Sequence, residues 1–182
     1  YLSPKILDRA HIMKFDSPLL FDWDQIQTEI NTESDADKAI HFDIDDFGTR
    51  DKYPKFEMEN EFCKLIANLT TKIFTPLGVE VGLRTIRQGL NYQSKFSILN
   101  SNYNLFINNF FIHKILPKLT FDGSKMVGDI EKKDRLLRLQ SQMSTEIIKE
   151  EIIDTEGNIA TAEFEELINK AKTNEWIVNY WA

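Results

Sequence analysis

The run from Tyr103 to Leu116 constrains the fold most, because apolar side chains occur on almost every side of the helix that it predicts. A helix that is apolar all round has to be enclosed by other elements. We therefore expect this segment to be the buried central helix of the fold. Pro117 is expected to kink or end it, since proline lacks the amide hydrogen that an α-helix needs.

Amphipathic patterns on both sides of this run predict the helices that enclose it. One begins at Glu61, carries an apolar stripe as far as Phe74, and is expected to end at Pro76 and Gly78. A second is expected to start near Gly82. A third helical pattern contains the apolar residues Ile130, Leu136, Leu137 and Leu139. A fourth contains Phe164, Leu167, Ile168 and Ala171, and Thr161 is expected to be its N-terminal cap. Residues Trp176 to Trp181 are typical of a short aromatic strand.

The N-terminal part of the sequence has a different character. Ser3-Pro4 is typical of a helix start, so Pro4 to Arg9 is predicted to be a short helix, and the alternation from Ala10 to Phe15 predicts a strand. The region from about Leu19 to Met58 is acidic and has no sustained period. The predicted organisation is therefore a helix–strand unit at 1–16, an acidic linker or insertion at 17–60, and a helical unit with a short final strand at 61–182.

Composition excludes several classes of protein. The 182 residues are 42% hydrophobic, which is enough for a core, but no apolar run approaches the roughly 18 to 20 residues that cross a bilayer. The net charge is −7, and the acidic excess lies between Gln27 and Glu61, which hold eleven acidic residues against four basic ones. That balance disfavours a simple electrostatic clamp on nucleic acid. With one cysteine, Cys63, a reducing cytoplasm is the expected location.

Two clusters invite a functional interpretation, and each has a simpler one. Clustered carboxylates at Asp43 to Asp46 suit a metal ion, but they lack the frame of a calcium loop and are typical of a solvated acidic loop, so no metal site is predicted. Four phenylalanines could stack on bases, but they have no interleaved basic residues and are predicted to be core: Phe106, Phe110, Phe111 and Phe121. His113 is expected to be a surface or capping residue, and Cys63 a small core residue.

Three separated segments resemble, in order, the C-terminal part of the McrB-like AAA+ NTPases, the motor subunits of modification-dependent restriction enzymes. The segment Leu2 to Phe15, reading LSPKILDRA-HIMKF, is similar to the end of that family's α/β subdomain. Gly78 to Thr85, reading GVEVGLRT, is similar to the start of its helical lid. The third segment, His113 to Leu119 with Gly123-Ser124-Lys125 after it, resembles the lid's KILPK…GS signature, whereas the final NEWIVNYW departs from the family's closing strand in most letters.

The resemblance implies a mainly α fold, namely a helical AAA+ lid subdomain preceded by a short helix–strand remnant of the α/β nucleotide-binding subdomain. It implies for the intact protein a GTP- or ATP-driven, Mg²⁺-dependent ring, a hexamer by the family's pattern, that translocates on DNA and works with a separate nuclease subunit. The sequence has no G-x-x-x-x-G-K-[ST] loop and no Walker-B acid. We therefore expect a fragment that holds no nucleotide and is inactive by itself.

The same resemblance assigns roles to three arginines. Arg9 would be the arginine finger that reaches the γ-phosphate bound by a neighbouring subunit, although an ion pair with Asp8 is the simpler interpretation. Arg84 would be the sensor-2 residue of the lid, where the alternative is a solvent-facing helix arginine. Arg87, one turn further on, is a secondary candidate for nucleotide binding. The position four residues after Arg84, often acidic in the family, is Gln88 here, so any ion pair made by that acid is missing.

The sequence leaves one alternative function open and disfavours another. A helical protein-interaction module without nucleotide chemistry, whose acidic segment recruits a basic partner, is the main alternative. A stand-alone hydrolase or nuclease is disfavoured, because the sequence shows no paired nucleophile and base and no metal cluster.

Overall fold

The structure is a computed structural model that describes residues 4–12, 43, 54–57, 59–143, 147 and 160–181. The chain divides into two compact units, one formed by Tyr1–Ile12 and Tyr53–Ala182 and the other by Met13–Lys52. Of the second unit only Asp43 is described, and the rest of the predicted acidic segment before Pro54 lies outside the described residues.

The first unit is mainly α-helical, as predicted. In chain order it contains α1 (Pro4–Arg9), α2 (Glu61–Leu69), α3 (Leu83–Leu99) and α4 (Tyr103–Phe110), followed by β1 (Thr120–Asp122), β2 (Met126–Val127), β3 (Ile130–Glu131), α5 (Lys132–Gln142), α6 (Ala160–Thr173) and β4 (Ile177–Asn179). Strand β4 pairs antiparallel with β1, which confirms a short strand near the end of the sequence. Strands β2 and β3 form a small hairpin that was not predicted.

Two helices continue past their α-helical part through a π-helical turn. Helix α2 runs on through Thr70–Phe74 and a last turn at Thr75–Leu77, and α4 runs on through Phe111–Ile115 and a 3₁₀ turn at Leu116–Lys118. In the first case Thr75 donates its amide hydrogen to Thr70, five residues back. The helix ends where predicted: Pro76 lies in its last turn, and Gly78, at a φ of 78°, is its left-handed C-terminal cap.

The central helix is enclosed, as predicted. Phe110 and Ile115 are both 0% exposed, and Phe106 and Phe111 are also buried. Cys63 lies in the same core, whereas Phe121 is only half-buried. Packing around these rings is tight: Phe62 and Phe110 meet edge to face with centroids 4.9 Å apart, over a glycine in α3.

Three local predictions are wrong. Ala10–Ile12 are described and are not in a strand, while Met13–Phe15 lie outside the described residues. Ile130 belongs to β3, because the chain turns at Gly128, with a φ of 65°, and α5 begins only at Lys132. Thr161 cannot cap α6, since Ala160 before it is already helical.

We predict that Gly89→Ala destabilises the protein. A Cβ at this position would lie 2.8 Å from Cε2 of Phe110 and closer still to the ring of Phe62, so both rings would have to move. The cost of overpacking, about 1 to 3 kcal/mol, should exceed the gain in helix propensity of up to about 1 kcal/mol. Chemical denaturation measures the change. Ser97→Ala, at an exposed position of the same helix, is the control and should not lower stability; equal stability of the two variants would contradict the packing described here.

Candidate functional site

Residues 4–12 lie against the helical unit, and this junction contains the first of the predicted site residues. Leu7 is the apolar anchor of α1, with only 7% of its surface exposed, whereas Ile6 is 50% exposed. Helix α1 packs on α3 and on the end of α4. So short a helix is not stable alone, and its position must come from these contacts.

Side chains of α3 and of the extension of α4 bond to three of the four backbone carbonyls between Arg9 and Ile12. Gln88 Nε2 donates to the carbonyl of Arg9 at 3.4 Å, Lys114 Nζ donates to that of Ala10, and His113 Nδ1 donates to that of Ile12 at 2.5 Å. Ile12 in turn donates its amide hydrogen to the carbonyl of His113 at 3.3 Å. We call Gln88, His113 and Lys114 the carbonyl clamp.

Pro117 explains why the carbonyl of His113 can accept this bond. In an uninterrupted α-helix that carbonyl would accept from the amide of residue 117, but proline has no amide hydrogen. The chain at Ile12 supplies a donor instead. A residue that was predicted to end the central helix therefore also creates an acceptor at its surface.

Lys114 is the least expected member of the clamp. It is 1% exposed, and a buried ammonium group requires hydrogen-bond acceptors because its desolvation is costly. The carbonyl of Ala10, one residue after α1, is such an acceptor, and it lies where the dipole of a helix is negative. A lysine in an otherwise apolar helical run was the sequence signal that could have pointed to it.

The three predicted arginines lie on exposed surface around this junction. Arg9 is the last residue of α1, and Arg84 and Arg87 are in the first turns of α3. Gln88, which bonds to the backbone of Arg9, is one turn after Arg84 and next to Arg87. The structure thus brings the backbone of Arg9 to the helix that carries the other two. The side chain of Asp8, the partner in the alternative interpretation of Arg9, lies outside the described residues.

Gln88 performs a task that the acid expected at this position could not. Its amide nitrogen donates to a carbonyl, and an ionised carboxylate only accepts. Its Oε1 is buried and has no hydrogen-bond partner. The glutamine at this position therefore has a structural role, which is the bond to the carbonyl of Arg9.

The imidazole ring of His11 is a titratable group at this junction. Its ring lies 5.9 Å from that of Tyr92 and 6.0 Å from that of His113. Although the side chain keeps contact with solvent, partial burial lowers its pKa from 6.5, and the positive charge of Lys114 and the proximity of His113 lower it further.

Metal and membrane features can be stated for the described residues alone. Among them, no three His, Cys, Asp or Glu side chains are arranged to hold a metal ion, and of the predicted acidic loop only Asp43 is included. In the same part of the chain, no helix combines the length and the apolar character needed to span a membrane.

Comparison of the chain with protein-family models, with curated proteins and with solved structures gave no match.

We predict that Lys114→Met loosens residues 4–12 while leaving the core folded. Methionine fills a similar volume but cannot donate to the carbonyl of Ala10, so the amide hydrogen of Ile12 should exchange about tenfold faster or more. Hydrogen exchange read by NMR measures this. Lys118→Met is the control, because Lys118 Nζ donates to Glu80 instead, at 3.3 Å. Equal exchange at Ile12 in wild type and Lys114→Met would contradict the clamp.

We also predict a pH dependence that comes from His11. Its pKa is lowered by folding, so the unfolded chain, with a pKa near 6.5, binds the proton first as the pH falls. The free energy of unfolding should therefore decline as the pH drops through 6.5 and stop declining below the folded pKa. Denaturation at several pH values should show a smaller decline in His11→Gln. An NMR titration that places His11 at or above 6.5 would refute this prediction.

Proposed function

We propose that this chain is the C-terminal part of a McrB-like AAA+ motor of a DNA restriction system, in which Arg9 acts as arginine finger and Arg84, assisted by Arg87, as sensor 2. Three sequence segments in the order of that family support the proposal. The observation that carries it is the bond from Gln88 to the backbone of Arg9, one helical turn after Arg84. Through this bond a change at the proposed sensor could reach the proposed finger.

The exposed guanidinium groups suit the proposed roles. Guanidinium binds phosphate oxygens through several parallel hydrogen bonds, and it keeps its charge at any physiological pH. Arg9 ends a helix whose backbone is clamped, so the direction of its side chain is restricted while its tip remains accessible. Arg84 follows Gly82, which is the N-terminal cap of α3. Both arginines could therefore reach a phosphate held by another part of the assembly.

The nucleotide, GTP or ATP with Mg²⁺, would be bound mainly by a phosphate-binding loop outside these 182 residues, and it supplies the bond that is broken. The proposed partners are further copies of the same protein, which form a hexameric ring, together with DNA and a nuclease subunit, in the cytoplasm. In this arrangement Arg9 would stabilise the charge that develops on the transferred phosphoryl group bound by its neighbour.

A protein-interaction module is the second candidate, and one observation favours it. Ile98 and Leu99, at the end of α3, are 77% and 88% exposed, which is unusual for two adjacent large apolar residues. A partner could cover them without any nucleotide. Nucleotide-dependent assembly of the full-length protein would favour the motor, and assembly that ignores nucleotide would favour the module.

For the full-length protein we predict that Arg9→Ala lowers NTP turnover about a thousandfold or more while nucleotide binding survives, because an arginine finger acts mainly in the transition state. Arg84→Ala should weaken binding and turnover more moderately, since a lid arginine also contacts phosphate in the ground state. Steady-state turnover and nucleotide titration separate the two effects.

Mixing two inactive proteins tests whether Arg9 acts across subunits. Arg9→Ala is combined with a variant that has a defective phosphate-binding loop, and one interface in the mixed ring then holds an intact loop and an intact arginine. Recovery of activity supports a finger in trans. Unchanged turnover in Arg9→Ala, with assembly intact, would leave Arg9 as a structural residue.

A further inference from the structure

A cationic groove lies between α2 and α5, in the part of the helical unit that carries none of the three arginines discussed above. Its cavity of about 170 Å³ is lined by residues from two facing helices, which are Asn68, Leu69, Lys72, Ile73, Arg135, Arg138 and Gln142. Lys72 belongs to the π-helical turn of α2, one turn after Asn68. Arg135, Arg138 and Gln142 follow one face of α5 at helical spacing.

The charge of this groove is positive on both walls. Lys72 contributes an ammonium group from one helix, and Arg135 and Arg138 contribute guanidinium groups from the other. Among the described residues, no acidic side chain lines the cavity and none of the three cations forms an ion pair. Three like charges held around one cavity repel each other, so an anion between them would lower the electrostatic free energy.

The guanidinium group of Arg135 is tied to the protein on one side. Its Nη2 donates to the carbonyl of Val127, in β2, at 3.4 Å. Arg135 Nε and Gln142 Oε1 are inaccessible to solvent, so neither atom contacts a molecule in the cavity directly. A ligand would be held by the accessible ends of Lys72, Arg135 and Arg138.

We propose that the groove binds a phosphate group, as free phosphate or as a phosphate monoester. Such a group has several acceptor oxygens for the cations on both walls and, with a second pKa of about 6, a charge close to −2. An ionised carboxylate and a phosphodiester each carry a single negative charge. Three cations around one cavity therefore favour the terminal phosphate over a carboxylate or a nucleic-acid backbone.

The cavity is large enough for a phosphate group but too small for a whole drug-sized ligand. It equals the volume of about five or six water molecules, and cavities that enclose drug-sized ligands begin at about 300 Å³. A phosphate fits inside, and the remainder of a monoester would extend to solvent along the exposed Lys72 and Arg138. This proposal does not depend on the function proposed above.

The test is a titration of the ¹⁵N-labelled protein, followed at the Nε–Hε signal of Arg135 and at the backbone amides of Lys72 and Arg138. Inorganic phosphate and glycerol phosphate should each give a saturable shift of these signals. Chloride at equal ionic strength, acetate and dimethyl phosphate should not. A saturable response to free phosphate alone identifies the free anion as the ligand, and a stronger response to glycerol phosphate identifies a monoester.

Two matched double variants decide whether the groove is responsible. Removing both charges in Lys72→Gln/Arg138→Gln should weaken phosphate binding about tenfold or more. Lys95→Gln/Lys172→Gln removes two exposed charges elsewhere and should leave binding unchanged. The proposal is overturned by equal weakening in both variants, by shifts that chloride reproduces, or by an Arg135 signal that phosphate does not move because water already fills the site.

Discussion

The enclosure of α4 is the constraint on which the rest of this unit depends. Most of its apolar side chains are buried, and a polar group buried among them without a hydrogen-bond partner is costly. Asn108 Oδ1 accepts from the amide of Ala160 at 2.7 Å and so meets the beginning of α6. Lys114 and His113 hold the carbonyls of Ala10 and Ile12. The few polar side chains of this apolar helix thus fix two segments that are distant in sequence, residues 10–12 and the start of α6.

A proline follows a π-helical turn near both the cationic groove and the carbonyl clamp. Pro76 and Pro117 each follow a π-helical turn, and each removes an amide hydrogen that the carbonyl four residues earlier would otherwise receive. Lys72 lies in the first turn, and His113 and Lys114 lie in the second. Such turns are frequent at functional sites because they redirect side chains from the regular helical face. Here they carry the lysine of the cationic groove and two members of the carbonyl clamp.

Periodicity predicted the helices because burial of an apolar face is a local property of sequence. Phe62, Ile66, Leu69 and Ile73 recur at helical spacing, and the helix they predict is present. The hairpin at Met126–Glu131 was missed because two-residue strands leave no readable period, and its turn uses Gly128. Arg9 and Arg84 were predicted as site residues through resemblance alone, and those roles stay predictions. The clamp could not be predicted, since a bond such as that between His113 and Ile12 joins residues about a hundred positions apart and depends on packing.

The carbonyl clamp has a consequence for whichever function the protein performs. Bonds to backbone carbonyls are insensitive to which side chains residues 9, 10 and 12 carry, so the clamp fixes the path of the chain and leaves Arg9 free to make contacts elsewhere. Gln88 and the two arginines of α3 lie within about one helical turn, and a helix moves nearly as a rigid body over that distance. Any displacement of the first turns of α3 must therefore either carry Arg9 with it or break the bond from Gln88. The intact and the broken bond are thus two arrangements of this junction, and a ligand at Arg84 that favours one of them could act on Arg9.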